Sequence, residues 1–178
     1  MNCNIVITKG DITTQAVDAI VNTAHSDLFG GDGVDGAIHS AAGSELLAEC
    51  RRLEGCAEGE AKITGGYNLP CKYVIHTVCP QYSGAIALDE FNFLKHCFIN
   101  SLCLAYKNGC RTVAFPAIGC GHKGFPADVV AKIAMRTIKL FLEDHPDMLE
   151  VRIVCHPDEH IEEFFQTARH EVFGKGMG

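Results

Sequence analysis

The residues of this chain best placed to do chemistry lie in one stretch, Ala19 to Gly43, AIVNTAHSDLFGGDGVDGAIHSAAG. Asp35 stands there just after the run Gly30-Gly31-Asp32-Gly33, where a short apolar strand gives way to a helix from about Val34. Glycines reach backbone angles closed to other residues and let a ligand come close. A helix N-terminus adds free N–H groups and a partial positive charge, so strand, glycine loop and helix together make an anion-binding device. Asp35 falls in the first helical turn, where a carboxylate suits the helix dipole. It is either a cap for that helix or a carboxylate aimed at a ligand in the loop. Local chemistry does not choose.

A second glycine loop, Ile118-Gly119-Cys120-Gly121-His122-Lys123-Gly124-Phe125-Pro126, follows another apolar strand. No GK[ST] occurs, so neither loop is a Walker loop, and Gly119 to Gly124 fits GxGxxG only loosely. The acidic residue expected ~20 positions later on a second strand is missing. Two phosphate-sized cradles at one sheet edge suggest a ligand with more than one phosphate. His122 and Lys123, at the loop tip, face either that phosphate or solvent. The Cys and His residues show no clustered spacing of a zinc site, and no cofactor is implied.

The elements that must hold these loops alternate strand and helix. Cys3–Thr8 reads as a strand covered on both faces, followed by Gly10-Asp11-Ile12 and a short helix capped by Thr13 or Thr14. Ala19–Asn22 is the second strand, and Val34–Ala42 a helix that Gly43 stops before a second one runs to Leu53. Glu60–Thr64 and Lys72–Val78 read as strands, the latter central. Asp89–Lys107 is a long helix closed by Asn108-Gly109, and Thr112–Ala117 a strand. A helix follows with Pro126 in its first turn, then a strand at Glu150–Cys155 and a helix at Asp158–Phe173. This alternation predicts an α/β layered domain with a largely parallel sheet, and ligands bind outside the carboxyl ends of such strands. Residues 1–173 read as one domain, with a flexible tail at 174–178.

The totals are those of a globular protein: 178 residues, 47% hydrophobic and 21% charged. A net charge of −7 with no basic patch argues against nucleic-acid binding. Ten cysteines without CxxC pairs read as reduced, mostly buried thiols. Polar residues at Asn2, Asn4, Lys9 and Asp11 interrupt any signal peptide, and no window approaches the ~20 apolar residues of a membrane span. The expectation is a cytoplasmic monomer that does not engage a membrane.

Taken together, Gly10-Asp11-Ile12, VDAIVN (17–22), GGDGVDGAIHSAAG (30–43), GYNLPCKYVIHTV (66–78) and FPAIGCGHKGFP (115–126) resemble the macrodomain family, within it the MacroD-like class. The resemblance implies a three-layer α/β/α fold with a central mixed, largely parallel sheet, binding ADP-ribose in a cleft on its crest. Asp11 matches the acidic residue that accepts from the adenine amino group, with Ile12 beside it. Gly31, Asp32, Gly33 and Val34 fall in the cradle for the distal ribose and pyrophosphate. Ile118, Gly119, Cys120, Gly121, His122 and Gly124 fall in the loop gripping the phosphates. Phe125 matches the aromatic that packs on the distal ribose, against the alternative of a core staple.

The resemblance further implies a hydrolase of O-acetyl-ADP-ribose, or of mono-ADP-ribose on acidic side chains of proteins, with a reader that binds without turnover as the alternative. Asp35 matches the catalytic aspartate, which positions the distal ribose and helps activate a water. The substrate's own phosphate is available as the base. Asn22 matches the first asparagine of an NxxN pair. Three departures stand out: His25 replaces the second asparagine, Asp32 replaces a loop glycine, and Cys120 replaces a small hydroxyl residue. His25 retains one donor and one acceptor in a wider ring. His39 and His76 are expected to be structural, His76 as a satisfied core histidine.

Overall fold

The computed structural model describes residues 3–84, 88–157 and 160–174. In chain order these form β1 (Asn4–Lys9), a 3-10 turn (Ile12–Thr14), β2 (Ala19–Thr23), α1 (Gly33–Ala42), α2 (Ser44–Arg52), β3 (Ala61–Gly65) and β4 (Tyr73–Thr77). There follow α3 (Leu88–Lys107), β5 (Thr112–Pro116), α4 (Ala127–Asp144), β6 (Glu150–Cys155) and α5 (Glu162–Phe173). The strands make one sheet in the order β1-β6-β5-β2-β4-β3. Every pairing is parallel except β3 against β4.

Alternation along the strands sends side chains to two cores. Ile20, Val74, Ala114 and Val154 face α1 and α2, joining Ile38, Ala42, Leu46 and Cys50. Val21, Ile75, Val113, Phe115 and Ile153 face the other way, onto α3, α4 and α5 through Phe98, Leu102, Ile138 and Phe165. The result is the expected three-layer α/β/α arrangement with a mixed, mostly parallel sheet. Asn22 and His76 occupy the α1/α2 face of their strands, by the same alternation.

Asp18 ties the start of β2 to the start of β5. Its Oδ2 accepts from the backbone N–H groups of Arg111 at 2.8 Å and Thr112 at 3.1 Å, while Asp18 N–H donates to Thr112 Oγ1 at 2.8 Å. Burial raises the Asp18 carboxyl, but donation from Arg111 and Thr112 outweighs it and holds the group below its ordinary value. Because these two strands start together, the loops leaving their carboxyl ends emerge side by side.

Four expectations are corrected. The strand at the N-terminus is an edge strand, so Ile5 and Ile7 are buried while Val6 is only half-buried. The KYVIHTV strand lies one in from the opposite edge, with β2 and β5 at the middle. The first short helix is capped by Asp11, not by Thr13 or Thr14, and ends at Thr14 with Gln15 as its C-cap. Pro126 sits at the N-cap of α4, one residue before its first turn. The proposed start of the last helix at Asp158 and the tail at 175–178 lie outside the described residues, and α5 begins at Glu162. Among the described residues the cysteines form no disulfide; eight of the ten are buried, Cys120 is half-buried and Cys103 is exposed.

Candidate active site

Asp35 is only 3% exposed, although it lies at the N-terminus of a helix that follows an open loop. Its Oδ1 accepts from Asn22 Nδ2 at 2.8 Å. Its Oδ2 has no partner among the described residues, and neither has Asn22 Oδ1. Buried polar atoms are nearly always paired, so these two acceptors carry an unmet demand for hydrogen-bond donors. The Asx cap that local sequence allowed for Asp35 is not made: the α1 N-cap is Asp32, whose side chain caps nothing.

One turn further along α1, His39 brings Nε2 to 3.5 Å from Asp35 Oδ1. The signal for this was in the sequence, since residues four apart share a helix face. His76 completes the buried group from β4. Its Nδ1 lies 3.1 Å from Asn22 Nδ2 and its Nε2 2.9 Å from Thr64 Oγ1. Burial pushes the His76 pKa down to about 3, with His39 adding repulsion, so the ring is neutral near neutral pH. His76 is the expected satisfied core histidine, and its partners are Asn22 and Thr64.

The loop from β2 is shaped by close approach. A Cβ on Gly31 would meet His25 Nε2 at 2.5 Å and Asp35 Oδ2 at 3.3 Å. His25, itself exposed, therefore covers Gly31 beside the orphaned carboxylate oxygen. Gly36 faces the Gly31 carbonyl so tightly that any side chain there would strike it. Gly33 has φ 60 in open space, and Asp32 and Val34 flank it at the mouth, Asp32 exposed and Val34 half-buried. The first-turn N–H groups of α1 lack intrahelical partners there.

The second loop leaves β5, the strand beside β2. Ile118 is buried, Gly119 and Gly124 have φ of 83 and 75, and Phe125 N–H donates to Gly119 O at 2.9 Å. Among the described residues, the backbone N–H groups of Gly121, His122 and Lys123 donate to no protein acceptor. Gly121 and His122 are exposed and Cys120 is half-buried. Phe125 is buried in an aromatic cluster, 5.1 Å from Tyr82 and 5.7 Å from Phe91 by ring centroids.

Asp11 follows β1, three strand spacings from β2, ~14 Å by ordinary strand separation. Its Oδ1 takes Thr13 N–H at 2.9 Å and Thr13 Oγ1–H at 2.7 Å, leaving Oδ2 open to solvent. Ile12 is buried behind it, and their turn packs against α1 and β5. Asp11, the two glycine loops and the Asn22–Asp35 pair thus line one edge of the sheet. Among the described residues no three His, Cys, Asp or Glu converge as metal ligands, and no described helix is long and apolar enough to cross a membrane.

The Macro domain family profile matches residues 21–134. The chain belongs to the macro domain family. This macrodomain is 48% identical over 170 residues to the ADP-ribose glycohydrolase MACROD2 of Xenopus laevis, covering 96% of this chain and 41% of that protein. The chain thus spans less than half the length of that relative. A macro domain-containing protein of Lactiplantibacillus plantarum is 48% identical over 165 residues, covering 92% of this chain and 95% of the relative. Among solved structures, the Oceanobacillus iheyensis macrodomain with ADP superposes at a TM-score of 0.86 with 36% identity, covering 93% of this chain and 89% of that one.

Proposed function

We propose that this macrodomain binds ADP-ribose and hydrolyses the bond that joins an acyl group to its distal ribose. The substrates are O-acetyl-ADP-ribose or mono-ADP-ribose carried on acidic side chains. One observation carries the reading: Asp35 Oδ2 and Asn22 Oδ1 are buried acceptors without partners at the mouth of a glycine loop. Ribose hydroxyls and an attacking water are donors, and they meet that demand.

The rest of the cleft suits the rest of the ligand. Asp11 Oδ2 offers an acceptor for the adenine amino group. The free N–H groups of the α1 N-terminus and of Gly121, His122 and Lys123 suit a pyrophosphate. Phe125, buried in the cluster with Tyr82 and Phe91, leaves little of its ring for the ribose. Asp35 then holds the distal ribose and orients water onto the acyl carbon, and the water's proton passes to the substrate phosphate. The acyl–oxygen bond breaks, the departing ribose oxygen takes that proton from the phosphate, and the products are ADP-ribose and a carboxylic acid that ionises to solvent. The glycohydrolase relatives support hydrolysis; the choice of ester is our reading. The protein on this account acts in the cytoplasm as a monomer and needs no cofactor.

A reader that binds without turnover is the second reading, favoured by His25, whose ring stands over Gly31 where the family pattern has a smaller asparagine. Product analysis with O-acetyl-ADP-ribose and a mono-ADP-ribosylated protein, side by side, separates them. Free ADP-ribose in either reaction supports the hydrolase; binding with no product leaves the reader.

A further inference from the structure

The β2–β4 register sets Asn22 directly opposite His76, and the contact between them has a direction. Thr64 Oγ1 lies 3.2 Å from Gly65 O and 3.5 Å from Val74 O, so its proton has carbonyl acceptors. A lone pair of that hydroxyl then faces His76 Nε2 at 2.9 Å, which makes Nε2–H the donor and leaves Nδ1 as an acceptor. Asn22 Nδ2 meets that acceptor at 3.1 Å and Asp35 Oδ1 at 2.8 Å. Both its hydrogens are used, and the amide cannot turn over. The reversed amide would set Asn22 Oδ1 against a carboxylate oxygen and a ring nitrogen.

From this chain, and resting on the hydrolase reading above, we infer that His76 is a positioning residue: it fixes the Asn22 amide, which in turn fixes Asp35 and presents Asn22 Oδ1 to the ligand. The ring never touches substrate. It is fully buried and lies beneath both helices of this face: Cys50 Sγ from α2 lies 3.8 Å from Nε2, and the His39 ring centroid from α1 lies 6.3 Å away. Burial keeps it neutral, the state in which Nδ1 can accept. An Asp–Asn pair without this support would let the amide flip, and a misplacement of ~1 Å can cost about a hundredfold in rate.

The test uses wild type, His76→Leu, His76→Asn and Thr64→Val. Long-range proton–nitrogen spectra of the wild type, recorded without substrate, are expected to show a neutral Nε2–H ring. His76→Leu is expected to lower kcat by roughly 10- to 100-fold while KM stays within about twofold. His76→Asn, which keeps an acceptor near the Nδ1 position, recovers most of the loss. Thr64→Val, which frees the tautomer without removing the ring, lies between, and carries the kinetic test should His76→Leu fail to fold. A wild-type ring protonated on Nδ1 overturns the inference. So does a folded His76→Leu or Thr64→Val with unchanged kcat, or a loss that His76→Asn does not repair. A wild type that binds ADP-ribose but releases no product overturns the hydrolase reading instead, and the nitrogen spectrum then still decides the orientation claim.

Discussion

Asn22 donates to Asp35 Oδ1 across 2.8 Å, linking the end of a buried strand to the first turn of the helix thirteen residues on. Neither residue is more than 3% exposed, and each keeps one oxygen without a partner among the described residues. The Asp35 carboxylate accepts one hydrogen bond, from the Asn22 amide, with His39 Nε2 3.5 Å from the same oxygen. Asn22→Ala removes that hydrogen bond and leaves the buried Asp35 only the more distant His39 ring, so both stability and turnover should fall. Loss of a hydrogen bond to a charged group predicts about 1.5–3 kcal/mol in a denaturant titration. An Asn22→Ala protein as stable as wild type would contradict the pairing.

Asp11→Ala should weaken ADP-ribose binding by about 1–3 kcal/mol, the cost of a hydrogen bond to a charged acceptor. The same change removes the cap on the 3-10 turn, so calorimetry needs a thermal melt beside it. The expected outcome is a large loss of affinity with a small shift in Tm. Unchanged affinity would place the adenine elsewhere.

The two glycines of the second loop should behave differently. Gly121 has open space around its Cα and an ordinary φ, whereas Gly124 sits at φ 75. Gly121→Val should leave Tm near wild type and obstruct the phosphates, whereas Gly124→Val should lower affinity and cost about 1 kcal/mol or more of stability. If Gly121→Val binds ADP-ribose as wild type does, the loop is not in the site.

His76 gives stability a defined pH dependence. Unfolded, the ring titrates at ~6.5; folded, it is held down to about 3. Above ~6.5 both states leave it neutral and its contribution is complete. As pH falls below that, the unfolded chain alone takes up the proton, so stability drops by about 1.4 kcal/mol per pH unit until the folded ring titrates. Urea midpoints across this range should lose that limb in His76→Asn. Parallel profiles for the two proteins would show that the ring is not buried neutral.

Much of this was legible in the sequence, for local reasons. The strand–loop–helix at Ala19–Gly43 and the long α3 announce themselves by glycine placement and apolar spacing, and both loops lie at the carboxyl ends of neighbouring strands as the alternation predicts. Strand order was not legible, because periodicity says nothing about which strand is at an edge; β1 and KYVIHTV were misjudged for that reason. His76 was read as core packing, since its link to Asn22 depends on a pairing across 54 residues. The capping alternative for Asp35 persisted for a similar reason, because its partner comes from another element.

The central claim is that Asp35 acts on the reaction more than on the ground state. Interactions made mainly in the transition state lower kcat when removed and leave binding nearly intact. The direct measurement is the rate of ADP-ribose release from O-acetyl-ADP-ribose and from a mono-ADP-ribosylated protein, for wild type and Asp35→Ala, with the ADP-ribose Kd of each taken in parallel. The account predicts a rate loss on the order of 100-fold or more, with Kd changed severalfold at most. An Asp35→Ala protein that turns over as fast as wild type, or whose rate loss is matched by its loss of affinity, would contradict it.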